Sequence, residues 1–307
     1  MQQKDNLEFP DSSTTAKIDL IRENLRGANL HSADLVYADL IKADLIEAEL
    51  VRANLTGADL IGAVLVSANL LNANLTGANL IGANCIKASA KLANFSNANL
   101  VAVNCKGADL TGANFTGSDL QGADFSDSIL VGANFTKANL SGVNLRHANL
   151  SEANFSSASL IKANLSNALA KDTVFRYADF RGADSRNADF TGADLCGAIL
   201  RGADCRGSNF SFAKLVLANL NKGNFASCKF VFSTMTKANL LDADLTAADL
   251  ECADLIGANL VNANLTDARL SNADFMDADF KGAILLRAIV DKEGLSDEHF
   301  AEMVVDS

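Results

Sequence analysis

Residues 112–136 read GANFTGSDLQGADFSDSILVGANFT. The word GANFT occurs twice, and its Phe returns after twenty residues, at Phe115 and Phe135. Between the copies, GSDLQ, GADFS and DSILV keep the same internal order: a small second residue, usually Asn or Asp third, then Leu or Phe. The unit is five residues, and four of them separate the two identical words.

Working outward from this stretch, the register holds from Leu20 to Val290. Of the 55 positions met in steps of five, 47 are Leu or Phe, and 44 of the 55 positions two residues earlier are Ala. Eighteen of the 20 Gly stand two residues after the Leu or Phe position. Ala and Leu in such numbers favour helix by propensity alone. The period forbids it: a step of five advances an α-helix by about 140° beyond whole turns, so the Leu would spiral around every side of the cylinder. A short extended segment followed by a tight corner instead keeps each Ala and Leu pointing inward, and Asn, Asp and Gly suit such corners. The expectation is a β-solenoid with a continuous core.

The repeated A-(D/N)-(L/F)-x-x unit over residues 18–290 resembles the pentapeptide-repeat family. The resemblance implies an all-β, right-handed quadrilateral β-helix with four pentapeptides per 20-residue coil and, for 55 units, nearly 14 coils. Residues twenty apart should then stack. Phe95, Phe115, Phe135, Phe155 and Phe175 fall in one column, Asn54 to Asn154 in another, and Phe190, Phe210 and Phe230 in a third. The expected organisation is a polar N-terminal segment (1–17), the solenoid (18–290) and a C-terminal cap (291–307). Within the cap, Ser296 suits an N-cap, and Phe300, Met303 and Val304 share one face of a short helix over 296–305, serving as a lid or a dimer contact.

No catalytic constellation is visible. His31, His147 and His299 are scattered, the six Cys have no metal-ligand spacing, and no phosphate-binding, nucleotide-binding or zinc motif occurs. The expectation is a non-enzyme with no cofactor and no metal. Charges interrupt every apolar run, and the first residues lack a basic start with an apolar core, which points to a cytoplasmic protein without membrane spans. Cys85 and Cys105, one coil apart, are expected to be a buried thiol pair.

Function must then lie on the surface. Ile21, Ile41, Ile61, Ile81 and Val101 recur every twenty residues just after a Leu, and Ile46, Val66 and Ile86 form a parallel stripe; both are expected to face outward as a protein-binding patch. Phe212 and Phe232 make a second apolar pair, with Val216, Leu217 and Val231 nearby. The leading expectation is a regulatory scaffold binding a protein partner or its own copy, a role that the resemblance implies for a few of the uninterrupted members abundant in cyanobacteria. The alternative, implied by the resemblance, is a DNA mimic acting on gyrase or another topoisomerase. Its surface would be Asp244, Asp249, Glu251, Asp254, Asp274, Asp277 and Asp279, in a segment (241–307) of net charge −11. Against it, residues 131–240 carry net +6, with Arg181 above Arg201 and Arg186 above Arg206, and no loop breaks the repeat as in the quinolone-resistance branch. Asp residues lace that basic middle, so no direct nucleic-acid binding is expected.

Overall fold

A computed structural model describes residues 17–291. The expected cap helix, with Phe300, Met303 and Val304, lies outside the described residues. The chain forms two compact units, Met1–Asn154 and Phe155–Ser307.

Each unit is a β-helix assembled from single-residue bridges and turns. In the first, parallel bridges run from Asp19↔Asp39 to Asn134↔Asn154; in the second, from Ser159↔Asp179 to Arg269↔Ile289. Every bridge joins residues twenty apart, so four pentapeptides make one coil, as the repeated GANFT indicates.

The pentapeptide around Phe95 shows how the chain closes each side. The Phe95 amide donates to the Asn114 carbonyl (2.7 Å) and the Asn97 amide to the Thr116 carbonyl (2.9 Å) of the next coil. The Ala98 amide returns to the Phe95 carbonyl (3.0 Å), closing a β-turn whose third residue, Asn97, has φ +55°. Positive φ at that position is the type II requirement. It explains why Gly concentrates two residues after the Leu or Phe. Among the described residues, thirty-six non-Gly residues nevertheless hold the same conformation. The Asx residue before the Leu or Phe supports the corner: Asn114 Oδ1 accepts from the Thr116 amide (3.1 Å) and hydroxyl (2.6 Å). Its own amide group donates to Asn94 Oδ1 one coil away (3.1 Å). Asn and Asp serve here because one side-chain oxygen can mimic a backbone turn.

The interior is apolar and closed: the inward Ala and Leu/Phe positions from Leu35 to Leu270 are nearly all buried. In the first unit Phe95, Phe115 and Phe135 stack with centroids 4.9 and 4.7 Å apart and planes within 4°. In the second, Phe155 lies on Phe175 (5.1 Å), and Phe190, Phe210 and Phe230 form a further stack at 4.8 and 5.0 Å. Offset stacking of this kind is what parallel layers about 4.8 Å apart impose.

Residue size is balanced around the coil. Residues ten apart face one another across a four-sided coil, and small Cys85 and Cys105 stand opposite bulky Phe95 and Phe115. Where Ala90 replaces the usual Leu as well, the compensation is incomplete, and a small void remains, lined by Cys85, Ala90, Phe95, Cys105 and other apolar residues. Cys85 and Cys105 are free, buried thiols. The hydrogen bond between them, then burial, hold Cys105 well above the usual thiol range, and burial pushes Cys228 up to about 12. Neutral thiols are poor nucleophiles, so these cysteines are core residues.

Candidate interaction surface

Side chains leave the coil at the corner residues, first and second after the Leu or Phe, and at the residue on the flat just before it. The expected stripes occupy the first corner position. Ile41, Ile61, Val101, Ile46, Val66 and Ile86 are only half-exposed, because each is covered by its neighbour twenty residues on. Ile21 is 41 % exposed and Ile81 reaches 36 %. The stripes are thus laterally packed seams with two open points, flatter than the sequence implies.

The second corner position projects further. Phe212 and Phe232 are 59 % and 54 % exposed, with φ +60° and +56°, and their rings stack at 5.4 Å with planes 11° apart. Leu217, at the next corner of the same coil as Phe212, is 64 % exposed. Two coils earlier in that corner column Tyr177 is 70 % exposed. Its ring lies over Gly197, where an added Cβ would sit 2.6 Å from the ring carbons, so this glycine is the seat of the tyrosine. Tyr177 escaped the sequence reading, although it occupies the same place in its pentapeptide as Phe212. Position within the unit was the signal that finds it.

The acidic residues of the C-terminal third do not converge. Asp244, Asp249, Asp254 and Asp279 each sit on the flat of a different side, and only Asp254 and Asp274 share a column. Most are also engaged locally. Asp244 accepts from Thr246 (2.6 Å), Asp254 from Thr236 (2.9 Å), and Arg269 spans Asp249 (3.7 Å) and Glu251 (2.9 Å). Asp274 and Asp279 cap the corner amides of Met276 and Lys281, whereas Asp277 points outward from a corner.

The Arg-rich middle is laced, as expected. Arg181, Arg186 and Arg206 each grip the Asp two residues earlier, at 2.6, 2.6 and 2.7 Å. Hydrogen bonds from Arg186 and Arg206 hold Asp184 and Asp204 below the ordinary carboxylate value. Among the described residues no cluster of His, Cys, Asp and Glu is placed to hold a metal ion, and no helix is long and apolar enough to cross a membrane.

A family model described as pentapeptide repeats matches segments from 24–60 through 148–184 and from 188–225 through 258–291. Comparison with curated proteins gives no match. Among solved structures, the chain is 31% identical to HetL, a pentapeptide repeat protein involved in heterocyst differentiation regulation from the cyanobacterium Nostoc sp. strain PCC 7120, covering 80% of this chain and 90% of HetL (TM-score 0.28). It is 30% identical to alr5209 of Nostoc, a pentapeptide repeat protein, over 38% of this chain and 84% of that one (TM-score 0.20). QnrB1, a plasmid-mediated fluoroquinolone resistance protein, is 18% identical over 64% of this chain and 86% of its own (TM-score 0.30). With its repeats matched along most of its length and its identity to HetL spread over most of both chains, this protein belongs to the pentapeptide-repeat family.

Proposed function

We propose that the protein is a non-enzymatic, regulatory scaffold, a right-handed β-helix in the cytoplasm that binds another protein through its exposed corners. The observation that carries this reading is the set of large apolar side chains at corner positions, above all Phe212 and Phe232. At the second corner position the described residues are mostly Gly or polar and charged residues, and Tyr37 and Leu92 are the large exposed apolar ones outside the second unit. Exposed aromatic rings lower solubility and gain nothing for the core, so contact with a partner is what accounts for them. HetL, described as involved in regulation, is consistent with the same role.

Affinity capture from the source cell tests it, comparing wild type with Phe212→Ser/Phe232→Ser and with Ile41→Asp/Ile61→Asp. The Phe pair variant is expected to lose recovered partner on the order of tenfold or more. The Ile pair, half-buried, is expected to lose less. Unchanged recovery in both variants would sink the scaffold reading.

A second reading, a DNA mimic directed at a topoisomerase, draws on the net −11 of residues 241–307. Mimicry needs negative charge continuous along one face. The distribution of these carboxylates over four sides, with Arg269 and Arg287 paired among them, works against it. The expected result is no change in gyrase supercoiling on adding the purified protein, even at low salt; inhibition there would favour the mimic.

A further inference from the structure

The corners at Phe212 and Leu217 bound one side of the second unit, and the flat between them carries Lys214 and, in the next coil, Thr234. The result is a shallow trough. Phe212 and Phe232 form one wall, Leu217 and Lys237 the other, and Tyr177 stands two coils beyond Leu217 in the same corner column. Lys229 lies on the far side of the Phe pair.

Three lysines of this unit differ from most of its arginines, although Lys171 pairs with Asp189 (3.4 Å). Arg176, Arg181, Arg186, Arg206, Arg269 and Arg287 all have carboxylate partners. Lys214, Lys229 and Lys237 are exposed and have no ion pair among the described residues. Of the nearby carboxylates, Asp194, Asp249 and Glu251 have arginine partners and Asp254 has only neutral donors. Asp194, adjacent to Lys214 in its column, is held by Arg176 at 2.6 Å, and Asp249, adjacent to Lys229, is shared with Glu251 by Arg269. Asp254, adjacent to Thr234, accepts from the Thr236 hydroxyl (2.9 Å) and the Ile256 amide (3.0 Å). An apolar ridge of stacked rings therefore sits among three exposed lysines that make no ion pair among the described residues.

We propose that this trough takes an acidic protein segment bearing large apolar or aromatic side chains. The proposal rests on the scaffold reading above and names the chemistry of its partner. The rings supply a desolvated anchor, and the lysines select negative charge and speed the encounter. A single-stranded nucleic acid would also offer negative charge and flat rings. One feature opposes it: Phe212 and Phe232 already stack on each other, which leaves no gap for a base between them.

Selection from a random peptide display library against the full-length protein tests the proposal. Enriched peptides are expected to combine Asp or Glu with Phe, Trp or Leu. Their synthetic versions should bind the Phe212→Ser/Phe232→Ser variant on the order of tenfold or more weakly. The Lys214→Gln/Lys229→Gln/Lys237→Gln variant should lose a few-fold and most of the salt dependence. All five side chains are exposed, so circular dichroism should show both variants folded. Enrichment of neutral or basic peptides, or peptides indifferent to both variants, overturns the proposal, as does tighter binding of single-stranded oligonucleotides at the same residues. If the Phe variant still abolishes capture from the cell while peptides show no acidic preference, the scaffold reading stands and this one falls.

Discussion

Phe115→Ala is expected to lower the stability of the first unit by about 3–5 kcal/mol, the range for removing a buried aromatic ring from a core that cannot collapse around the gap. Phe115 is fully buried, sandwiched between Phe95 and Phe135, and touched edge-on by Phe125 at 5.9 Å, so three neighbouring rings lose a contact at once. Because each coil contacts only its neighbours, the damage should be local. Hydrogen exchange should show amides of the coils around residue 115 losing protection while those near Leu40 keep theirs. Phe115→Leu, which restores the commonest residue of its position, is expected to cost less than about 1.5 kcal/mol. Guanidinium denaturation of the two variants decides it; equal losses would mean that the stacked ring itself, and not apolar bulk alone, is what the coil needs there.

Asn114→Pro should be at least as damaging, through the backbone. Proline deletes the bond from the Asn114 amide to the Ala93 carbonyl (2.9 Å). It also deletes the two bonds that the side chain accepts from Thr116 and the one it donates to Asn94. Loss of about 3 kcal/mol or more is expected from the proline alone, with the corner at Thr116 left unsupported in addition. Asn114→Asp keeps the acceptor and the corner and loses only the donation to Asn94, so roughly 0.5–1.5 kcal/mol is expected there. Thermal melts of the pair should separate widely. A proline variant melting with the Asp variant would show that the ladder is dispensable at this layer.

The fold was legible because it is written in a strict interval. Phe115 and Phe135 could be placed one above the other from their spacing alone, and Gly at the second corner position already announced a left-handed residue there. The surface was less legible, for a physical reason. Exposure of a corner residue depends on the bulk of the residue twenty places before and after it. Ile41 and Ile61 shield each other, whereas Tyr177 rises free because its neighbour is Gly197. Ion pairing is harder still to read. Arg186 and Lys214 look alike as isolated positive residues, yet the Arg reaches back to the Asp two residues earlier, and Lys214 itself occupies the position where that Asp would stand.

The twenty-residue coil has one more consequence, for how such a protein can change in length. Within either unit, loss of a single pentapeptide would leave every inward Leu inward and the core intact, but would carry all following corner residues a quarter turn around the axis. Residues such as Phe212 and Phe232 keep to one corner column only if the segment gained between them is a whole number of coils. Gain or loss of five residues is therefore silent for folding and disruptive for recognition, while twenty residues shift a face along the axis without turning it.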